Sequence, residues 1–102
     1  MRDIKIIKKN GNLEKFDPDR IRKAVTTSAE RVMVDLTDEA VDKIIDIVKN
    51  MINTQTTNPT VDQVHSFVES ALDQVNPLVA RSYREYRDYK KEIVHILDKV
   101  YK

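Results

Sequence analysis

The chain has 102 residues, enough for one domain with a modest core, and 18 Lys and Arg against 17 Asp and Glu. The resulting net charge of +1 argues against a strongly basic nucleic-acid-binding protein. Cysteine is absent, which excludes disulfides, thiolate metal sites and cysteine nucleophiles. The sequence also shows no signal peptide and no apolar run long enough to span a bilayer. We therefore expect a cytoplasmic domain that is not embedded in a membrane.

A β-hairpin is predicted over residues 3–17, because Asn10-Gly11 separates two short strand-like runs and glycine accepts the positive φ of a tight turn. Two registers are possible. A two-residue turn pairs Ile7 with Glu14. A three-residue loop over 9–11, with Gly11 left-handed, instead gathers an apolar base and a charged rim on one face, and we favour it. That face holds Ile4, Ile6, Lys8, Glu14 and Phe16.

Four helices are predicted after the hairpin, each with a start signal. Asp17 is an N-cap followed by Pro18, Thr37 caps the second helix, and Thr60 with Gln63 forms a capping box for the third. The expected fold is mainly α (α+β): an N-terminal hairpin covering a four-helix bundle in one domain, 1–102. The predicted helix bounds are about 18–33, 38–53, 61–75 and 77–101.

The end of the last predicted helix carries apolar residues that need a partner for burial. We expect either that this segment is the end of a piece of a longer chain or that the chain dimerises through it. The residues are Ile93, Ile96, Leu97 and Val100.

No catalytic set is evident in the sequence. The two histidines do not form an HExxH motif or a paired ligand set, and the single glycine rules out a Walker-type loop. We expect no catalytic residue and no protein metal site in this domain.

Anion binding is the better-supported chemistry. Lys8, Lys9 and Arg20 lie on either side of a turn that leads into a helix N-terminus, where exposed N–H groups favour negative charge. The alternative is that the lysines only protect the edge of a hairpin. His65 flanks the apolar stripe of the third helix and ordinarily would have a local hydrogen-bond partner. The tyrosines of SYREYRDYK can stack on a base, or be core residues with a hydrated hydroxyl.

Together these segments resemble a known family. IIKKNGNLEKFDPDRIRKAV is similar to the opening of the ATP-cone domain, Val-x-Lys-Arg-Asp/Asn-Gly-x-x-Glu-x-Phe-Asp-x-x-Lys-Ile. VDQVHSFVESAL and NPLVARSYREYRDYK resemble its third and fourth helices, so the resemblance covers nearly the whole chain. Lys9 replaces the usual arginine and Arg20 the usual lysine; both keep the charge, but Lys9 loses bidentate geometry. The family's threonine at the start of helix three corresponds to Thr60 or is replaced by Val61.

The resemblance implies an allosteric activity switch that binds ATP or dATP with Mg²⁺. Such domains occur mostly at the N-terminus of ribonucleotide reductases, and the fourth helix looks most like the anaerobic class. The domain itself would not be an enzyme, whereas its parent would be a ribonucleoside-triphosphate reductase. Its partners would be adenine nucleotides, the rest of the reductase chain and other subunits, in a nucleotide-dependent oligomer.

The resemblance also implies roles for individual residues. The phosphates would be held by the cations and by the backbone of the turn, the adenine by an apolar sandwich closed from the fourth helix, and the ribose by polar residues. The phosphate residues are Lys8, Lys9 and Arg20, with Asn10 and Gly11 in the turn that keeps them close, and the base residues are Ile6, Ile21, Tyr86 and Lys90. His65 would read the ribose, Glu14 and Asp17 would contact ribose or lysine, and Thr60 would be a further nucleotide-binding residue.

Three alternatives remain open. An ATP-cone also occurs in a repressor of reductase genes, but there it follows a four-cysteine zinc ribbon, whereas this sequence starts at Met1 and has no cysteine. A small helical nucleic-acid-binding module would show strongly salt-dependent affinity for DNA. A pure oligomerisation module would self-associate whether or not nucleotide is present.

Overall fold

The computed structural model describes residues 4–85, which form an antiparallel hairpin and four helices. In chain order these are β1 (Lys5–Ile7), β2 (Leu13–Lys15), α1 (Pro18–Arg31), α2 (Asp38–Asn53), α3 (Val61–Val75) and α4, of which 77–85 are described. The predicted fold class is confirmed. The predicted continuation of the fourth helix to 101, with Ile93, Ile96, Leu97 and Val100, lies outside the described residues.

The hairpin adopts the three-residue loop. Ile6 pairs with Glu14, and the backbone N–H of Lys8 donates to the carbonyl of Asn12 at 2.8 Å, which leaves 9–11 as the loop. Gly11 has φ +85°, a conformation in which a side chain is strained, so the glycine is what allows this loop. The register places Ile4, Ile6 and Phe16 on the face that packs against the core, as predicted.

Capping side chains define where the helices begin. The carboxylate of Asp17 and the hydroxyl of Thr37 each accept a first-turn backbone N–H, at 3.0 and 3.1 Å. Thr60 and Gln63 form the predicted reciprocal capping box. Because these groups satisfy N–H donors that the helix cannot pair internally, the starts of α1, α2 and α3 coincide with the predictions.

The first helix ends two residues before its predicted end, at Arg31. Met33 has φ 58°, and its N–H donates to the Glu30 carbonyl while the N–H of Val34 donates to that of Ala29. This pair of bonds is a Schellman motif, which usually has glycine at the left-handed position. The sequence pattern did not indicate it, because methionine rarely adopts this conformation.

The helices enclose one apolar core. α2 packs against α1 and α3. The buried Ser82 hydroxyl of α4 donates to the Ser28 carbonyl of α1 at 2.7 Å, and Arg84 pairs with Glu69 of α3 at 3.5 Å. None of the helices within 4–85 is long and apolar enough to cross a membrane. The largest fully buried apolar side chains include Val25, Val41, Ile44, Val48, Ile52, Val68, Leu72 and Val79.

A backbone contact ties the hairpin to α3. The N–H of Ile7 donates to the Pro59 carbonyl at 2.9 Å, and Ile7 forms an isolated parallel bridge with Thr60. β1 therefore lies between β2 and the residues that lead into α3. As a result, the lysines that follow β1 lie close to the first turn of α3.

Thr37→Ala should destabilise the domain by about 0.5–2 kcal/mol, because it removes the N-cap of α2 and leaves a first-turn N–H unsatisfied. Thr57→Ala is the matched control: Thr57 is exposed in the α2–α3 loop and caps no helix. It should change the free energy of unfolding by less than about 0.5 kcal/mol. Urea unfolding followed by circular dichroism measures both. Equal stability of the two variants would contradict a stabilising cap.

Candidate functional site

One cavity, about 220 Å³ in volume and termed the first cavity, lies between the hairpin and helices α1, α3 and α4. Its size suits a flat aromatic ring rather than a whole nucleotide, and one side opens to solvent. The structure brings together here many of the residues predicted for base and ribose binding, and one predicted for phosphate binding, Arg20. The base and ribose residues are Ile6, Glu14, Asp17, Ile21 and His65.

The walls of this first cavity are mostly apolar. Ile6 contributes from the inner face of the hairpin and Ile21, only 7% exposed, from α1. The sequence indicated most of the other apolar lining residues only as core residues. Hydrophobic periodicity does not distinguish a residue that packs against its neighbours from one that lines a cavity. The lining residues not predicted as part of the site are Lys15, Phe16, Ala24, Val61, Val64, Val68 and Tyr83.

Charged groups gather at the hairpin and α1 side of the first cavity. The guanidinium of Arg20 pairs with Glu14 at 2.9 Å and approaches Asp17 at 3.9 Å. The Arg20 side chain is 70% exposed, so these pairs are screened by water and contribute little to stability. Both carboxylates, which were predicted to contact ribose or lysine, thus contact arginine in this structure. An exposed guanidinium can exchange such a partner for a phosphate at small cost.

A second cavity, of about 240 Å³, lies beside the first turn of α3. Lys8 and Lys9 line it together with Ile7 and with Thr60, Val61 and Asp62. The helix start that shares a cavity with the lysines is therefore that of α3, whereas the sequence indicated α1. The cause is the Ile7–Pro59 backbone bond, a long-range pairing that local patterns do not reveal.

The two cavities are neighbours, because Val61 lines both. Arg20 borders the first and the lysine pair borders the second. The three cations predicted to hold phosphates therefore line two adjoining cavities that share Val61. Thr60 and Val61, the two candidates for the family's helix-three threonine position, both line the second cavity.

His65 has a specific partner on α4. Its Nδ1 lies 2.5 Å from the hydroxyl oxygen of Tyr83, and the two rings are tilted by 47° with centroids 6.0 Å apart. Tyr83 is 5% exposed and His65 is half-buried. Both side chains line the first cavity, so the histidine is a bonded boundary residue that also borders the candidate site.

Some predicted site residues do not border either cavity. The Asn10 side chain accepts the backbone N–H of Asn12 at 3.0 Å, which shapes the turn, and Gly11 supplies its left-handed residue. Their part in the structure is to position the lysine before them. Tyr86 and Lys90 lie outside the described residues.

Within residues 4–85, no cluster of three or more His, Asp or Glu side chains is arranged to hold a metal ion. The same part of the chain has no buried polar side-chain atom that lacks a hydrogen-bond partner. The groups that line the two cavities are suited to binding a ligand. They are an apolar slot, a carboxylate–guanidinium cluster, a histidine and a lysine pair beside a helix start.

Comparison with known proteins gave one family match. The family model for the ATP cone domain matches residues 4–92, which is most of the chain and includes every residue that lines the two cavities. A comparison with curated proteins gave no match.

Proposed function

The chain belongs to the ATP-cone domain family, and we propose that it is the ATP- and dATP-binding activity regulator of a ribonucleotide reductase. Domains of this family are in general nucleotide-binding regulatory domains with ATP or dATP as effector. The observation that carries the proposal is the pair of adjoining cavities, one apolar and one lined by lysines. Together they offer complementary surfaces for a base and for phosphates.

Adenine would occupy the first cavity between Ile6 and Ile21. These side chains reach it from the hairpin and from α1, so they can contact opposite faces of a planar ring. Burying an aromatic base between apolar surfaces is favourable by the hydrophobic effect. Tyr86 and Lys90 remain candidates to close this site from the continuation of the fourth helix.

The phosphates would extend past Val61 toward Lys8 and Lys9, with Arg20 contacting them from α1. The first-turn N–H groups of α3 add a favourable helix N-terminus on the same side. Thr60 lies at that turn, and the Asn10-Gly11 turn keeps the lysines close to it. Mg²⁺ would arrive with the nucleotide, since this ion usually binds through substrate phosphates and retains water ligands.

The ribose would lie between these two ends, beside His65. Glu14 and Asp17 border the same cavity and can accept ribose hydroxyls once Arg20 turns toward a phosphate. We propose that His65 is the group that senses the 2′-hydroxyl, because it combines half-burial with a polar ring at the cavity wall.

Calorimetry with ATP and with dATP on the 102-residue chain is the direct test of this function. We expect saturable binding of both nucleotides with unequal affinity. If neither nucleotide binds at millimolar concentration, the regulatory proposal is refuted. The parent reductase, its other subunits and the anaerobic class are parts of the proposal that need the full-length protein, assayed for nucleotide-dependent ribonucleotide reduction.

GTP should bind at least about twofold more weakly than ATP, because a slot matched to the adenine edge leaves a guanine group without its hydrogen-bond partner. Competition against a fluorescent ATP analogue measures the two affinities under one condition. CTP, whose single ring fills less of the slot, is the control for affinity that comes from the phosphates alone. Equal competition by GTP and ATP would show that the adenine edge is not recognised.

A further inference from the structure

The Tyr83 hydroxyl is hydrogen-bonded to His65, the histidine that borders the first cavity. The contact joins α3 to α4 across 18 residues of sequence, and both rings line the cavity. Tyr83 itself is almost completely buried, at 5% exposure. A buried phenol hydroxyl requires a hydrogen-bond partner, and His65 provides one at 2.5 Å.

The direction of this hydrogen bond sets the state of the imidazole. A phenol is a better donor than acceptor, so the favoured arrangement has the Tyr83 hydroxyl donating to Nδ1 of His65. A neutral imidazole that accepts at Nδ1 carries its proton on Nε2. The ring is then fixed in orientation and in tautomer, with an acceptor at one nitrogen and a donor at the other.

We propose that Tyr83 is a positioning residue whose hydroxyl fixes the orientation and tautomer of His65, and thereby determines how well the site distinguishes ribose from deoxyribose. The inference rests on the proposed function, in which His65 senses the 2′-hydroxyl. A hydrogen bond to a sugar hydroxyl requires a defined donor at a defined place. An imidazole that can rotate and exchange tautomers provides that donor only part of the time.

Tyr83→Phe is the informative variant, since it removes the hydroxyl and retains the buried ring. The ratio of ATP to dATP affinity should move toward one, but by less than in His65→Ala, where the change is up to about twelvefold. The double variant should have the same ratio as His65→Ala, because Tyr83 acts on the ratio only through His65. Calorimetry with both nucleotides on all four proteins gives the ratios.

Ser82→Ala is the matched control on the same helix. It also removes a buried hydroxyl, but that hydroxyl donates to the Ser28 carbonyl and lies outside the first cavity. It should lower the unfolding midpoint while leaving the affinity ratio unchanged. This separates a loss of recognition from a general loss of stability.

The tautomer can be measured without any nucleotide. In ¹⁵N-correlated NMR spectra at about pH 8.5, where imidazoles are normally neutral, His65 should show one tautomer protonated at Nε2. Tyr83→Phe should give a mixture of tautomers. The spectrum of His65→Ala identifies which signals belong to this histidine rather than to the second one in the chain, His95.

The outcomes are distinguishable. Wild-type discrimination and a single tautomer in Tyr83→Phe would overturn the positioning role. If the nucleotides bind but the ratio of ATP to dATP affinity changes in neither Tyr83→Phe nor His65→Ala, neither residue takes part in sugar recognition. If the wild-type chain binds neither nucleotide, the proposed function fails and the discriminating role fails with it, while the NMR spectra still decide whether Tyr83 orients His65.

Discussion

Lys8→Ala and Arg20→Ala should each weaken ATP binding roughly ten- to a hundredfold. Each variant removes one charge-assisted hydrogen bond to a phosphate, and such bonds are stronger than neutral ones. The two cations border different cavities, Lys8 beside the first turn of α3 and Arg20 beside the hairpin and α1. Loss of affinity in both variants would therefore indicate a phosphate chain that spans the region around Val61.

The measurement is calorimetry on the wild-type chain and both variants at one ionic strength. Lys5→Ala is the control for Lys8, because Lys5 is an exposed lysine of the same hairpin that lines neither cavity. Arg81→Ala is the control for Arg20: its side chain is 76% exposed against 70%, and it too pairs with a carboxylate, Glu85. Wild-type affinity in both Lys8→Ala and Arg20→Ala would refute the phosphate assignment.

The two substitutions should change the free energy of unfolding too little to complicate the comparison of affinities. Arg20 pairs with Glu14 at 2.9 Å, but exposed ion pairs of this kind contribute little to the free energy of unfolding. Arg20→Ala should therefore unfold near the wild-type temperature. Lys8 follows β1 on the exposed side of the turn, and its backbone bond to Asn12 does not depend on its side chain. A large loss of affinity in either variant would then reflect lost contacts with the ligand.

Local signals in the sequence were enough to predict the hairpin and the helix starts. Capping is a short-range interaction, so Asp17, Thr37 and Thr60 mark the helix N-termini whatever the tertiary structure. The hairpin register follows in the same way from Gly11 and from which face is apolar. The end of α1 could not be predicted, because it depends on a left-handed Met33 and methionine rarely adopts that conformation.

Part of the site geometry depends on long-range contacts that no local pattern encodes. The pairing of Ile7 with Pro59 and Thr60 brings Lys8 and Lys9 to α3, and the sequence indicated α1 instead. The sequence leaves open whether Tyr83 stacks on a base or is a core residue with a hydrated hydroxyl. Its hydrogen bond to His65 joins α3 to α4, so local patterns do not reveal it. The sequence could thus indicate which residue types bind an anion, but not which helix start lies beside them.

ATP and dATP should bind with affinities that differ by roughly two- to twelvefold, and His65→Ala should reduce that difference. The two nucleotides differ only at the 2′-hydroxyl, so discrimination requires a protein group that gains or loses a hydrogen bond there. His65 borders the first cavity from α3 and is held by Tyr83. In the proposed function, truncation to alanine removes the ring that senses the 2′-hydroxyl.

The control for this substitution is Ser66→Ala. Ser66 is the next residue of α3, its side chain is exposed, and it does not line the first cavity. It should leave both affinities near wild type. Calorimetry with the two nucleotides on the three proteins provides the comparison, and an unchanged ATP-to-dATP ratio in His65→Ala would show that another group reads the sugar.

Unequal affinity alone does not produce regulation, because a ligand shifts an equilibrium only by its differential affinity for the two states. One hydrogen bond that a nucleotide makes in only one of the two states gives a preference of roughly two- to twelvefold for that state. Such a preference cannot convert a population of about 1:99 into 99:1, but it can redistribute two arrangements of similar free energy. We therefore expect the full-length protein to be poised between two oligomeric states, with ATP and dATP favouring different ones. The apolar residues near Val100 are the part of this sequence predicted to transmit the difference to another subunit.

Light scattering coupled to size exclusion should give different masses with saturating ATP and saturating dATP, and His65→Ala should bring the two masses closer. Identical masses with both nucleotides, at concentrations where calorimetry shows the site filled by either nucleotide, would mean that the domain senses the nucleotide without controlling assembly.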